Sequence, residues 1–421
     1  MPYVLGIDIG NSTTAAAVAR RRDATWARPE VVPLLGRSAT MPSVLHLAMD
    51  GSLAVGQPDL VGADRAARGF VRRVGDDVSY LLDGEACPPH TLTAVLAAWV
   101  VEQVAGREGV AAEAVVLGHP ASWGPYRREL LHQALAELGL PDVILLPHTI
   151  TVAESHAARG FPGSTAAVYV LGGETFEAAL VRRTPHGTYE AFGLPQHLEG
   201  IGGVDFDEAL AEHVRRVLAR ELTTVGHPAA DPVLRTLPAQ CDRAKHELAV
   251  STETDVLLTL PTGPARVPVS RVRFEDMIRP TVRTTVDLLV RAVHSAGLTP
   301  AQLDGVLLSG GSTRIPLITE LLTATLGVQV EMEPDPQLTA ANGAALAACQ
   351  VVAPRPRPDP RPGREPDGKR RRAATSVTSG HPDQHPGVLG DPPPRPPIRI
   401  PPLELPRASR RMLARARGRE G

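Results

Sequence analysis

Three short runs of small residues carry the chemistry open to this chain. Asp8-Ile9-Gly10-Asn11-Ser12-Thr13-Thr14 ends one apolar run, Val170-Leu171-Gly172-Gly173-Glu174-Thr175 ends a second, and Gly310-Gly311-Ser312-Thr313-Arg314 follows a third, Val306-Leu307-Leu308-Ser309. Glycine and hydroxyl residues in a turn let backbone N–H groups converge on an anion with nothing bulky in the way. After the third run, Ile315-Pro316 opens a helix expected to reach Leu326. Its first-turn N–H groups and dipole suit a phosphate or ribose, and Arg314 could lay its planar guanidinium on a base. Asp8 is an acid in an otherwise apolar strand, a position suited to Mg²⁺ held largely through water. A solvated strand end and an ordinary hairpin are the alternatives at this turn, and the local pattern leaves them open.

These runs need a scaffold, and the surrounding pattern supplies one. Apolar β-rich segments alternate with Ala- and Leu-rich segments of helical period, which predicts an α/β fold. The strands are expected at Tyr3 to Ile9, Ala166 to Leu171 and Gly305 to Ser309; the helices at Tyr126 to Leu138, Phe206 to Leu222 and Phe274 to Ala296. Asp8 to Arg21 also overlays Val170 to Arg183 without a gap: Gly10 falls on Gly172, Thr13 on Thr175, Ala16 and Ala17 on Ala178 and Ala179, and Arg20 and Arg21 on Arg182 and Arg183. Each copy reads as strand, Gly/Thr turn, strand, so each half of the molecule should open on a hairpin. With 421 residues the chain exceeds what one core usually fills. The expected organisation is a first lobe over 1–163, a second over 164–350 with an inserted subdomain at about 206–275, and a tail over 351–421.

Composition narrows the class. Aromatics are 3% of the chain, so Ala, Val and Leu must fill the cores. Cys87, Cys241 and Cys349 are odd in number and widely spaced, against a disulfide framework or zinc site and in favour of a reducing compartment. No apolar run approaches the roughly 20 residues of a membrane span, and the N-terminus lacks a basic leader, so a cytoplasmic location is expected. Residues 351–421 hold 16 Lys/Arg against 7 Asp/Glu, and are Pro-rich without periodic apolar residues, as a disordered tail reads. Its basic runs, Lys369 to Arg372 and Arg407 to Arg419, suit nucleic acid or an anionic membrane. The absence of interleaved aromatics favours a merely solvated tail. The proline run from Pro393 to Pro402 suits a protein groove. His119, His132, His148 and His156 show no ligand spacing and read as ordinary surface or loop residues.

Five segments in order, GIDIGNSTTAAAV, LGGETFEAALV, GIGGVDFDEAL, CDRAKHELA and VLLSGGSTRIPLI, resemble signature segments of the ATPase domain of the seventy-kilodalton heat-shock (DnaK-like) chaperone family. The resemblance spans roughly residues 3 to 350. It implies a two-lobed actin-like (ribonuclease H-like) ATPase fold closing on ATP and Mg²⁺. Asp8 then resembles the metal-positioning carboxylate, and Gly10, Asn11, Ser12 and Thr13 the first phosphate loop. Gly172, Gly173 and Thr175 resemble the second phosphate loop, and Gly202 and Gly203 the approach to ribose and phosphates. Lys245, Gly310, Gly311, Ser312 and Arg314 resemble adenosine contacts, although Lys245 also reads as a surface lysine paired with nearby Asp242 or Glu247.

The pattern also departs from the family. Val170 stands where the second phosphate strand ends in Asp, and Glu174 where that loop has its third Gly, so Glu174 should either turn away or help hold the metal. Arg72, in FVRRVG, replaces the catalytic lysine, keeping charge but not a compact ammonium. A family glutamate has no clean counterpart in HTITVAESHAARG: Thr151 occupies the aligned position, and Glu154 lies three residues later. Nucleotide binding is expected to survive these changes better than hydrolysis. The family's acidic linker and peptide-binding β-sandwich are expected to be absent, since Val352 leads into Pro/Arg sequence. A non-catalytic nucleotide-binding scaffold presenting its basic tail to a partner is the alternative; a small-molecule kinase would need a base and a pocket that the sequence does not reveal.

Overall fold

The structure, a computed structural model, describes residues 1–23, 25–48, 51–56, 65–225 and 227–352. The expected disordered tail lies outside these residues except for Val351 and Val352, which are helical rather than disordered because they complete the last turn of a buried helix.

Two sheets organise the described chain. The first contains β1 (Tyr3–Ile9), β2 (Thr13–Arg22), β3 (Val115–His119) and β4 (Ile144–Pro147), in the order β4-β3-β1-β2. Short strands at Thr25–Trp26, Glu30–Val31 and Met41–Pro42 extend it along β2. The second contains β5 (Thr165–Leu171), β6 (Thr175–Arg183), β7 (Tyr189–Glu199), β8 (Gly305–Ser309) and β9 (Val330–Met332), in the order β7-β6-β5-β8-β9. β1 pairs antiparallel with β2 and parallel with β3, while β5 pairs antiparallel with β6 and parallel with β8. The sequence repeat is therefore a repeat of topology. Both central strands are buried over almost their whole length, which is why they read as continuous apolar runs rather than alternating ones. This mixed α/β architecture is that of the actin-like ATPase fold.

Nine helices lie among the described residues: α1 (Pro89–Glu108), α2 (Pro125–Glu137), α3 (His148–Ala158), α4 (Gly203–Val217), α5 (Ala219–Val225), α6 (His227–Val250), α7 (Arg271–Ser295), α8 (Pro316–Leu326) and α9 (Thr339–Val352). α1 and α2 supply core to the first sheet, and α7 and α8 to the second. The single helix expected over Phe206 to Leu222 breaks at Leu218 into α4 and α5, a break that no Gly or Pro marks. α6 continues into an antiparallel hairpin, Glu253–Leu260 with Gly263–Ser270.

α3 and α9 exchange sides. α3 follows the first sheet in sequence but packs mainly on β5, β6, β7 and β8, whereas α9 follows the second sheet and packs on β1, β2 and β3. The two helices cross where Gly343 meets Thr151: a Cβ at Gly343 would sit 1.6 Å from the Thr151 carbonyl oxygen. A Cβ at Gly6 would likewise sit 2.1 Å from the Ala345 nitrogen. The alanine-rich composition of α9 suits this close packing, since nearly every face of the helix is buried.

Candidate functional site

The hairpin turns of the two sheets and the turn after β8 open onto one cavity of about 460 Å³, within the size range of small-molecule sites. Its lining includes Asp8, Gly10, Asn11, Ser12 and Thr13 from the first turn, and Gly172, Gly173, Glu174 and Thr175 from the second. The third turn supplies Gly310, Gly311, Ser312 and Arg314, and Arg72, Gly203 and Lys245 complete the set expected from sequence. Gly202 stands behind the second turn, outside that lining.

The two hairpin turns are built alike. Gly10 N–H donates to the Thr13 carbonyl at 2.9 Å, and Gly172 N–H to the Thr175 carbonyl at 3.0 Å. In both, the next two N–H groups, of Asn11 and Ser12 and of Gly173 and Glu174, find no acceptor among the described residues. Paired unsatisfied N–H groups of this kind form an anion-binding concavity. In the third turn Gly310 has φ +94°, and a Cβ there would sit 2.2 Å from the Leu171 carbonyl oxygen. The turn is therefore pressed against the second one, and Ser312 Oγ fastens it by donating to the Gly172 carbonyl at 2.9 Å.

α4 braces the same turn from the other side. Its first N–H groups, of Gly203 and Val204, donate to the carbonyls of Gly172 and Gly173 at 3.0 and 2.8 Å. A Cβ at Gly202 would lie 2.5 Å from the Gly173 carbonyl oxygen. These two glycines hold the turn in shape, and the α4 N-terminus is already committed to backbone carbonyls.

The floor of the cavity holds a charge cluster that sequence reasoning missed. Asp8 Oδ1 lies 3.0 Å from His148 Nε2, a charge contact rather than a well-aligned hydrogen bond. Burial opposes protonation of His148, but the Asp8 carboxylate and then Glu177 outweigh it and hold its pKa above the usual histidine value. Glu177 is buried on β6; desolvation raises its pKa, against the pull of His148 and the Ala121 N–H, which donates to its Oε1 at 2.9 Å. Glu177 breaks the apolar run of β6 as Asp8 breaks that of β1, and that was the available signal. The overlay concealed it by placing Glu177 on Ala15. The surface reading of the histidines is also corrected: His119, His148 and His156 are all buried, because β3 and α3 that carry them are covered on both sides. Burial lowers the His119 pKa to about 4, and its ring stacks on Trp123.

On the far wall, Lys245 is buried rather than a surface lysine. Its Nζ donates to Asp207 Oδ2 at 2.7 Å and to the Gly203 carbonyl at 3.1 Å, and lies 3.1 Å from Asp242 Oδ1, tying α6 to α4. Burial pushes the Asp207 carboxyl up to about 6 despite this ion pair, and its Oδ1 has no hydrogen-bond partner. A carboxyl raised in the folded state makes the fold bind more protons, so stability from this group falls as pH rises from about 4 through 6. Relative to wild type, Asp207→Asn should therefore gain up to about 3 kcal/mol between pH 4 and pH 7. Urea unfolding of both proteins at the two pH values measures this, and a constant difference would refute it. Arg314 is held by Asp335 Oδ1 at 2.7 Å and Gln337 Oε1 at 3.1 Å.

Glu174 neither turns away nor stands alone. Its carboxylate accepts hydrogen bonds from Asn11 Nδ2 and from Ser12 Oγ, the latter at 3.2 Å, and lies 3.3 Å from Arg72 Nη1. The Arg72 backbone N–H donates to Asn11 Oδ1 at 3.3 Å, joining the same cluster.

Among the described residues no group of three or more His, Cys, Asp or Glu is arranged to hold a metal ion. Mg²⁺ keeps several waters and typically uses one or two carboxylates plus substrate phosphates. Asp8 beside two anion-binding turns fits a Mg²⁺ ion carried in with a phosphate-bearing ligand. No described helix is long and apolar enough to cross a membrane, and Cys87, Cys241 and Cys349 are free and buried.

The sequence model of the family described as Hsp70 protein matches residues 78–358. Among curated proteins, the chain is similar to a chaperone protein DnaK of Elusimicrobium minutum, at 26% identity over 83% of this chain and 58% of the relative. It is similar to the chaperone protein DnaK of Thermosipho melanesiensis at 25% identity over 82% of this chain and 59% of the relative. The chain thus spans under two thirds of the length of these relatives.

Proposed function

The chain belongs to the Hsp70 family, and from that premise we propose that its cleft binds ATP or ADP with Mg²⁺ and hydrolyses ATP slowly or not at all. The observation that carries this reading is the meeting of three glycine-rich turns on one cavity, with Asp8 on its floor. The N–H pairs of the two hairpin turns would take phosphate oxygens. Lys245, Ser312 and Arg314 would line the nucleoside side, and Mg²⁺ would neutralise phosphate charge beside Asp8.

Weak hydrolysis follows from what surrounds the phosphates. Phosphoryl transfer depends on positioned charge around metal and phosphate. Val170, next to last in β5, brings no carboxylate, and Thr151 is buried in the helix crossing with its hydroxyl on the His148 carbonyl at 2.9 Å. Arg72 is already engaged with Glu174. Val170, Glu174 and Thr151 also favour a second reading, a nucleotide-binding scaffold that never hydrolyses. In either reading the protein acts in the cytoplasm, with the segment after Val352 contacting a protein partner.

Calorimetry with ATP and ADP, then single-turnover hydrolysis in wild type, Asp8→Ala and Val170→Asp, separates these readings. Slow wild-type turnover that Asp8→Ala abolishes supports the weak ATPase. Turnover that appears only in Val170→Asp supports the scaffold. Failure to bind either nucleotide overturns both.

A further inference from the structure

Glu174 occupies an unusual position for an acid. It lies in the second hairpin turn, yet its side chain crosses the cavity to the first, where Asn11, Ser12 and Arg72 gather on its two oxygens. The turns themselves touch: a Cβ at Gly173 would lie 2.5 Å from Ser12 Oγ. An amide, a hydroxyl and a guanidinium converging on one acceptor is the donor set that would hold a phosphoryl group. Here the anion is part of the chain. It sits between the two turns whose unsatisfied N–H groups face the cavity.

We propose that the Glu174 carboxylate is a built-in substitute for a terminal phosphate, so that the cleft prefers a nucleoside diphosphate to the triphosphate. The inference rests on the nucleotide reading above and sharpens it. A third phosphate must displace the carboxylate from its donors and then stand beside it, and two anions a few ångströms apart repel each other strongly when partly shielded from water. A diphosphate adds no group at that point and leaves the Glu174 bridge intact. The bridge also joins the two sheets through side chains, so a diphosphate complex keeps the cleft closed without a γ-phosphate. Arg72, read from sequence as a stand-in for a catalytic lysine, becomes the residue that holds the bridge.

The test is calorimetric titration of ADP and of ATP, each with Mg²⁺, into full-length wild type, Glu174→Gln and Glu174→Gly. The wild type is expected to bind ADP at least about tenfold more tightly than ATP. Both variants should bring ATP to within about twofold of ADP. Glu174→Gln keeps the side-chain volume, and unfolding midpoints close to wild type confirm that the variants are folded. ADP binding with an unchanged ATP-to-ADP ratio in both variants overturns the substitute-phosphate role and leaves the nucleotide reading standing. Failure of all three proteins to bind either nucleotide overturns both.

Discussion

A Gly343→Val protein is expected to be less stable than wild type by about 3 kcal/mol or more. Position 343 is where α9 crosses α3, and even the first carbon of a side chain would fall 1.6 Å from the Thr151 carbonyl oxygen. Backbone cannot yield by rotamer change as a flexible side chain can, so the helices must separate. α9 lies on β1, β2 and β3 while α3 lies on β5 to β8, so separation loosens both sheets together. Urea or thermal unfolding reads the effect directly. A midpoint equal to wild type would mean that the helices do not cross at this residue.

His148→Ala carries the second large effect, with a pH signature. Asp8 and Glu177 both favour the cationic form of His148, and removing one partner from this charge cluster leaves charge uncompensated, at a cost of about 3 kcal/mol near neutral pH. The sign with pH is fixed by the direction of the shifts. In wild type the His148 pKa is raised, so its contribution is fully present below the ordinary histidine range and is lost as pH rises through the elevated value. In the variant the penalty comes from the two carboxylates, and it fades in acid as Glu177, whose pKa burial has raised, takes up its proton. The variant should therefore be most deficient near neutrality and approach wild type near pH 4. A deficit of equal size at pH 4 and pH 7 would assign the loss to packing alone.

What could be read from the chain beforehand was whatever depended on local pattern. β1, β8 and the span of α8 follow from apolar runs bounded by Gly and Pro. The duplicated hairpin, down to Gly10 with Thr13 and Gly172 with Thr175, follows from an ungapped overlay. Convergence was not legible, because nothing local states that three turns from positions 10, 172 and 310 share a cavity. Nor was the exchange of α3 and α9. A lobe boundary drawn along the sequence near residue 163 divides the chain between α3 and β5, although α3 packs mainly on β5 to β8. Glu177 and His148 were missed for a related reason. A lone Glu in an apolar strand and a lone His at a helix start gain meaning only when Asp8 lies beside them. Lys245 was legible as a paired lysine, but its burial depended on α4 packing against α6.

The crossing of α3 and α9 has a mechanical consequence. At Gly343 and Thr151 bare backbone touches bare backbone, with no side chain of Gly343 to interlock. Interleaved side chains resist turning like meshed gears, because each must change rotamer as the surfaces pass. At this one point the separation is set by backbone alone, so no rotamer change can bring the helices closer or open a gap between them. The helix lying on the first sheet and the helix lying on the second are thereby set at a fixed closest separation at this point, which ties the spacing of the two sheets to a backbone contact.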